Sequence, residues 1–166
     1  MLTDYQWLGL LVFLLLAYTP AIVSIPFMKG VRSRYMMYKR SFTIPPVVFA
    51  VVWTVLYALV GVAGFLFWNT FDADPNLYCA GMVFWTAQLI LNALWFPLFF
   101  GYGYVEIATI IVCMLLAFAI VTMSIFFPVN VAAGALTTPY VAWLVVATVF
   151  SVDICTHNEF VADDSE

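Results

Sequence analysis

Five apolar stretches, each long enough to cross a bilayer, dictate what this chain can fold into. A membrane-spanning helix needs about 20 apolar residues, and such stretches fit at about 5–27, 45–68, 78–100, 104–127 and 131–154. The chain has 166 residues, 66% hydrophobic and 8% charged, with a mean hydropathy of +1.09. No water-soluble domain of that size buries so much apolar surface, so the solvent for those faces is lipid. The expected fold class is an all-α integral membrane protein, a five-transmembrane-helix bundle. It forms a single domain over 1–158 and is followed by an acidic, disordered tail at 159–166. The first span does not read as a cleaved signal peptide. It opens beside Asp4 instead of a basic cluster, is too long for a signal core and lacks a small-x-small site.

All five basic residues, Lys29, Arg32, Arg34, Lys39 and Arg40, fall in the connection after the first span. The positive-inside rule puts that loop and the C-terminus on the cytoplasmic face, and the N-terminus, Asp72 and Asp74 across the membrane. The same loop, about 28–44, carries Tyr35 and Tyr38 and leads into Pro45 and Pro46, a pattern for an ordered flap or short helix before the second span. Other connections are short, so neighbours in sequence are antiparallel neighbours in space.

Within the third span, Leu91-Asn92-Ala93-Leu94-Trp95-Phe96-Pro97 sets an amide, an indole and a proline inside hydrocarbon. An amide there is costly unless something answers it, so Asn92 is expected to face the protein interior, at a ligand or in a helix–helix hydrogen bond. Gln88, Asn92 and Trp95 share one helical face at i, i+4 and i+7; Trp53 and Tyr57 do so in the second span. Tyr140, Trp143, Ala147 and Phe150 repeat the pattern in the fifth. Three aromatic stripes with two amides suit a pocket for a flat apolar ligand. Trp7, Trp68 and Trp85 lie nearer span ends and are expected in the interfacial aromatic belt.

Catalytic chemistry is sparse. The only histidine, His157, has no Ser–His–Asp or Cys–His spacing around it. Glu106, at the start of the fourth span, is accounted for by the helix dipole. Cys79, Cys113 and Cys155 are an odd set without paired spacing, which fits small buried hydrophobes better than a disulfide framework or metal site. No metal, no required cofactor and no nucleic-acid partner are expected.

Three segments in register carry a resemblance to a known family. These are Pro45 with Phe49, Trp53, Thr54, Leu56, Tyr57 and Gly61; Gln88-Leu89 with Leu91-Asn92 and Trp95 through Gly101; and Pro139-Tyr140-Val141-Ala142-Trp143 with Ala147-Thr148. Together they resemble the TspO / translocator protein family, also called tryptophan-rich sensory proteins or peripheral-type benzodiazepine receptors. The likeness spans nearly the whole chain. It implies a five-helix bundle, often a homodimer, with a pocket closed by the first loop. It also implies ligands of the porphyrin and haem type, sterols in animal members, and synthetic benzodiazepine-type compounds. The residues carried over are Trp53, Asn92, Trp95, Trp143, Ala147 and Phe150, with Tyr57 and Gln88 added by the stripes and Phe42 and Pro45 at the loop entrance. An animal-type member would sit in the mitochondrial outer membrane.

Several positions depart from the family pattern. The W-x-P-P entrance reads Phe42-Thr43-Ile44-Pro45, a fourth-span tryptophan is Ile107, and the basic residue of the preceding loop is missing near Gly103. The animal sterol motif has Val152 and Thr156 where tyrosine and a cation belong. A small-x-x-x-small dimer face in the third span has Ala87 but Val83. The functions that follow rank as tetrapyrrole binding in transport, sensing or stress response first, and light-dependent porphyrin degradation with Trp53 and Trp143 as relays second. Cholesterol or lipid transport comes third.

Overall fold

The structure, a computed structural model, describes residues 4–29, 31–38, 40–41, 43–70 and 74–163, with the side chains at 4, 32–34 and 158–163 left aside. Phe42, Lys39 and Asp72 lie outside the described residues, so the expectation for Phe42 as an entrance residue falls there too. Among the described residues every regular element is helical: α1 (Asp4–Ala17), α2 (Thr19–Ser24), a 3₁₀ turn (Ile25–Phe27), α3 (Val31–Met37), α4 (Pro46–Trp68), α5 (Pro75–Phe96), a π turn (Pro97–Tyr102), α6 (Val105–Val129) and α7 (Val131–Asp163). Five segments are long and apolar enough to cross a membrane: Tyr5–Phe27, Pro46–Trp68, Pro75–Tyr102, Val105–Val129 and Val131–His157. The protein is a five-helix integral membrane bundle. Helical backbone in α7 continues through Asp163, past the expected boundary at 158.

Prolines explain why the first span is broken. Pro20 has no N–H for the Leu16 carbonyl, and the Thr19 hydroxyl donates to that carbonyl instead. Pro26 likewise leaves the Ile22 carbonyl to a 3₁₀ bond from Ile25 N–H. The kink redirects the chain: α1 packs along α4, whereas α2 crosses to α5. α6 packs against both α5 and α7, and α7 against α4, so α4 and α5 make little contact with each other. The interior between them is held by side chains.

At the far end of the bundle the helices touch closely. Phe67 stacks on Phe126 with ring centroids 4.1 Å apart. A Cβ on Gly64 would sit 2.5 Å from the Trp85 ring, so only glycine admits that indole. Trp85 is 2% exposed and donates its N–H to the Val60 carbonyl at 3.1 Å. This corrects the expected interfacial placement of Trp85: the glycine across from it makes a socket, and burial follows. Trp7 is exposed, and Trp68 is half-buried against Phe13 and Phe65.

At the opposite end, α5 widens into the π turn where Pro97 cannot continue the ladder. Gly103 ends it with φ 79°, a left-handed geometry that disfavours any side chain. The loop after the first span folds back over this end, with α3 at its centre, as the flap expectation required.

Candidate functional site

Beneath that flap, α2, α4, α5 and α7 line a cavity of about 400 Å³, within the range of small-molecule sites. From α4 come Phe49, Trp53 and Tyr57; from α5, Asn92, Trp95 and Phe96; from the π turn, Phe100; and from α7, Phe150. The flap supplies a roof of Met28, Val31, Tyr35 and Ile44. The rings form a continuous cluster: Trp53 lies 5.3 Å from Tyr57 and 6.2 Å from Trp95, and Phe49 lies 5.9 Å from both indoles. Such spacings favour tilted and edge-on packing.

Asn92 is answered by the protein itself. Its carbonyl oxygen accepts from the Tyr57 hydroxyl at 3.3 Å, and its amide donates to the Tyr140 hydroxyl at 3.0 Å. One amide thereby ties α4, α5 and α7 together in a low-dielectric interior, and it still forms part of the cavity wall. Among the described residues, the buried indole N–H groups of Trp53 and Trp95 have no acceptor. The cavity wall is thus mainly aromatic and apolar, with Asn92 and Tyr57 as its inner polar residues.

The flap is braced internally at Tyr35 and pinned to the bundle by Tyr38 and Ser41. Tyr35 donates its hydroxyl to the Ile44 carbonyl at 2.6 Å and accepts from Ile44 N–H at 3.0 Å. Arg40 lies over the Tyr35 ring, 4.0 Å from its centroid, and donates to the Tyr35 and Tyr38 carbonyls. Tyr38 reaches the Phe99 carbonyl at 3.1 Å. Finally, Ser41 N–H donates to the Asp153 carboxylate at 2.7 Å. His157 sits 3.4 Å from the same carboxylate and 3.5 Å from the Ser41 hydroxyl. The spacing of Ser, His and Asp along the chain concealed this cluster, because Ser41 arrives from 112 residues away.

A roofed aromatic cavity in a five-helix membrane bundle is the setting in which a likeness to known proteins becomes informative. The model for the TspO/MBR family matches residues 9–156. The chain belongs to the TspO/MBR family. It is similar to protein CrtK of Rhodobacter capsulatus, with 28% identity over 72% of this chain and 74% of that protein. It is also similar to a tryptophan-rich sensory protein of Cereibacter sphaeroides, 35% identical over 63% of each. The human translocator protein is 28% identical over 78% of this chain and 77% of its own length.

In this TspO/MBR chain, the stripes of α4 and α5 converge more fully than the stripe of α7. Trp53, Tyr57, Asn92, Trp95 and Phe150 all line the cavity. Trp143 is not part of the wall; it lies 6.2 Å from the Phe49 ring. Ala147 is buried at 1% exposure without reaching the cavity. Gln88 is fully buried, and neither end of its amide is hydrogen-bonded among the described residues. Pro45 caps α4 in an extended conformation and hands the wall position to Pro46. Sequence reasoning missed Tyr35 as a roof residue and Tyr140 as the partner of Asn92. The i, i+4 stripe supplied the face of each helix but not which neighbour that face meets.

Proposed function

We propose that this chain is a membrane-embedded binding protein, receptor-like or carrier-like, for flat apolar ligands, tetrapyrroles of the porphyrin and haem type first. The observation that carries the reading is the cavity wall of Trp53, Trp95 and Phe49 with two indole N–H groups lacking acceptors. A porphyrin offers a broad π face to the rings, and its propionate oxygens are its outward-facing hydrogen-bond acceptors. Its propionates would be drawn to the basic loop holding Lys29 and Arg40, an attraction weakened by salt. The names of two relatives, a tryptophan-rich sensory protein and a translocator protein, agree with a sensing or carrying role. In this reading the flap and the end of α7 face the cytoplasm; labelling of a cysteine at Asp74 from the cytosolic side would refute that orientation.

The chain of rings from Trp53 to Tyr57 and Tyr140 favours a second reading, in which light-excited porphyrin is oxidatively degraded. Illumination with product analysis separates it from simple binding. The sterol reading ranks last, because Val152 and Thr156 replace the tyrosine and cation of the sterol motif.

The test is a protoporphyrin titration of the parent and of Trp53→Phe, Trp95→Phe and their combination, read by fluorescence quenching. An aromatic contact adds about 0.5–1.5 kcal/mol beyond burial, so each single variant should weaken binding by about 2–12-fold. Trp143→Phe, outside the cavity wall, should change affinity less. Binding indifferent to both Trp53 and Trp95, or tighter binding of cholesterol than of protoporphyrin, would overturn the reading.

A further inference from the structure

Resting on that reading of the cavity, we infer that ligand reaches it from the bilayer, through a lateral slot between α2 and α4, and not through the flap. The slot originates in the sequence. Pro20 breaks the first span, and the kink sends α2 toward α5 while α1 stays on α4. Where the two segments diverge, the cavity is lined on one side by Ala21 and Ser24 and on the other by Ala50 and Thr54. All four are small. Ala50 and Thr54 line the cavity and are exposed, as are Met28 and Pro46 at the flap end. The cavity therefore reaches the outer face at both places, and what distinguishes the slot is its small side chains. Ala50 and Thr54 lie four and eight residues into α4, about 6 and 12 Å along its axis, within the membrane-spanning segment Pro46–Trp68. The surrounding medium there is acyl chain.

The slot is also dry in its chemistry. The Ser24 hydroxyl donates to the Pro20 carbonyl at 2.7 Å, and the Thr54 hydroxyl donates to the Ala50 carbonyl at 2.9 Å. Each polar group on the rim is satisfied by its own helix, leaving methyl and methylene surface to a passing apolar molecule. Tyr18 fixes one edge by donating to the Thr54 carbonyl at 2.8 Å. On the aqueous side, by contrast, a path to the cavity must break the Tyr35–Ile44 pair, the Tyr38–Phe99 bond and the Ser41–Asp153 bond. A ligand already dissolved in the membrane meets one inter-helix bond there, Tyr18 to Thr54, at the edge of the slot.

The test uses the full chain in phospholipid vesicles. Protoporphyrin association and dissociation are followed by stopped-flow quenching in the parent, in Ala50→Phe and Ser24→Phe, which narrow the slot from opposite walls, and in Asp153→Asn, which loosens the flap. Slot variants should slow association and dissociation together by about tenfold, a larger change than in affinity, whereas Asp153→Asn should leave both rates near those of the parent. Faster exchange in Asp153→Asn with unchanged rates in both slot variants would overturn the proposal in favour of the flap. A ligand-free arm places a nitroxide at Thr54→Cys: collision with oxygen but not with a water-soluble nickel chelate is expected, and nickel access would refute a lipid-facing slot. Absence of saturable quenching in the parent would defeat the tetrapyrrole reading, while the nitroxide arm still decides where the slot opens.

Discussion

The two ends of this bundle are built from the same aromatic residues and behave as opposites. Away from the flap, Phe67, Phe126 and Trp85 fit into the space left by Gly64, Gly81 and Ala63, and the helices close to contact. Beneath the flap, Phe49, Trp53, Trp95 and Phe100 face one another across the gap between α4 and α5, with no glycine among the cavity-lining residues. In lipid the hydrophobic effect does not press helices together, so close approach depends on small residues. Where glycine lies under a ring, the ring becomes part of a socket; where rings meet rings, they hold the backbones apart. The partition of polar bonds follows. Trp85 is answered by Val60, while Trp53 and Trp95 are left unanswered. One end is built for stability and the other keeps room and free donors.

The comparison breaks most sharply at Gly64. Gly64→Val places carbon inside the Trp85 ring and displaces its bond to Val60. Overpacking costs about 1–3 kcal/mol and the lost bond about 1 kcal/mol. Thermal unfolding in detergent should show a large loss of stability, whereas the same change at exposed Ala50 should cost under about 0.5 kcal/mol. Equal losses at both sites would dissolve the distinction between the two ends.

Next in size is Asn92→Leu. It removes the bonds to Tyr57 and Tyr140, and interhelical bonds in membranes average about 0.6 kcal/mol each. The variant should therefore stay folded with about 1 kcal/mol less stability, and it should bind protoporphyrin less tightly because the wall residue and both tyrosines lose their fixed geometry. A double-mutant cycle with Tyr57→Phe isolates that bond: a coupling near zero would show that it adds nothing to stability and that the Tyr140 bond alone ties Asn92 to its neighbours.

The smallest effect is expected at the flap latch. Asp153→Asn weakens the grip on Ser41 N–H without touching the packed end. Global unfolding should be unchanged, and limited proteolysis within 38–44 should quicken. Protection equal to that of the parent would mean that Tyr35 and Tyr38 hold the flap unaided.

Much of this was legible in the chain before any coordinates. Apolar run length is a one-dimensional property, so the five spans and the flap could be read directly, as could the faces carrying Trp53, Asn92 and Trp95. What escaped the sequence was pairing between helices. Nothing local to Trp85 announces that Gly64 stands across from it. Trp143 shares a stripe with Phe150, but it neighbours Phe49 and does not line the cavity. The grouping of Ser41, Asp153 and His157 needed the flap folded against α7. The kink at Pro20 mattered less for helix formation than for the direction it gave the chain afterwards.

The most direct measurement of the central claim is a structure of the full protein with protoporphyrin bound. The account predicts the macrocycle beneath the flap, against Trp53 and Trp95, with acceptor atoms of the ligand within hydrogen-bond reach of their indole nitrogens. A second, smaller groove on the lipid-facing surface, between Leu16 and Thr19 on one side and Trp85, Leu89 and Leu94 on the other, offers the alternative. A macrocycle seated there, with the cavity under the flap unchanged, would contradict the account.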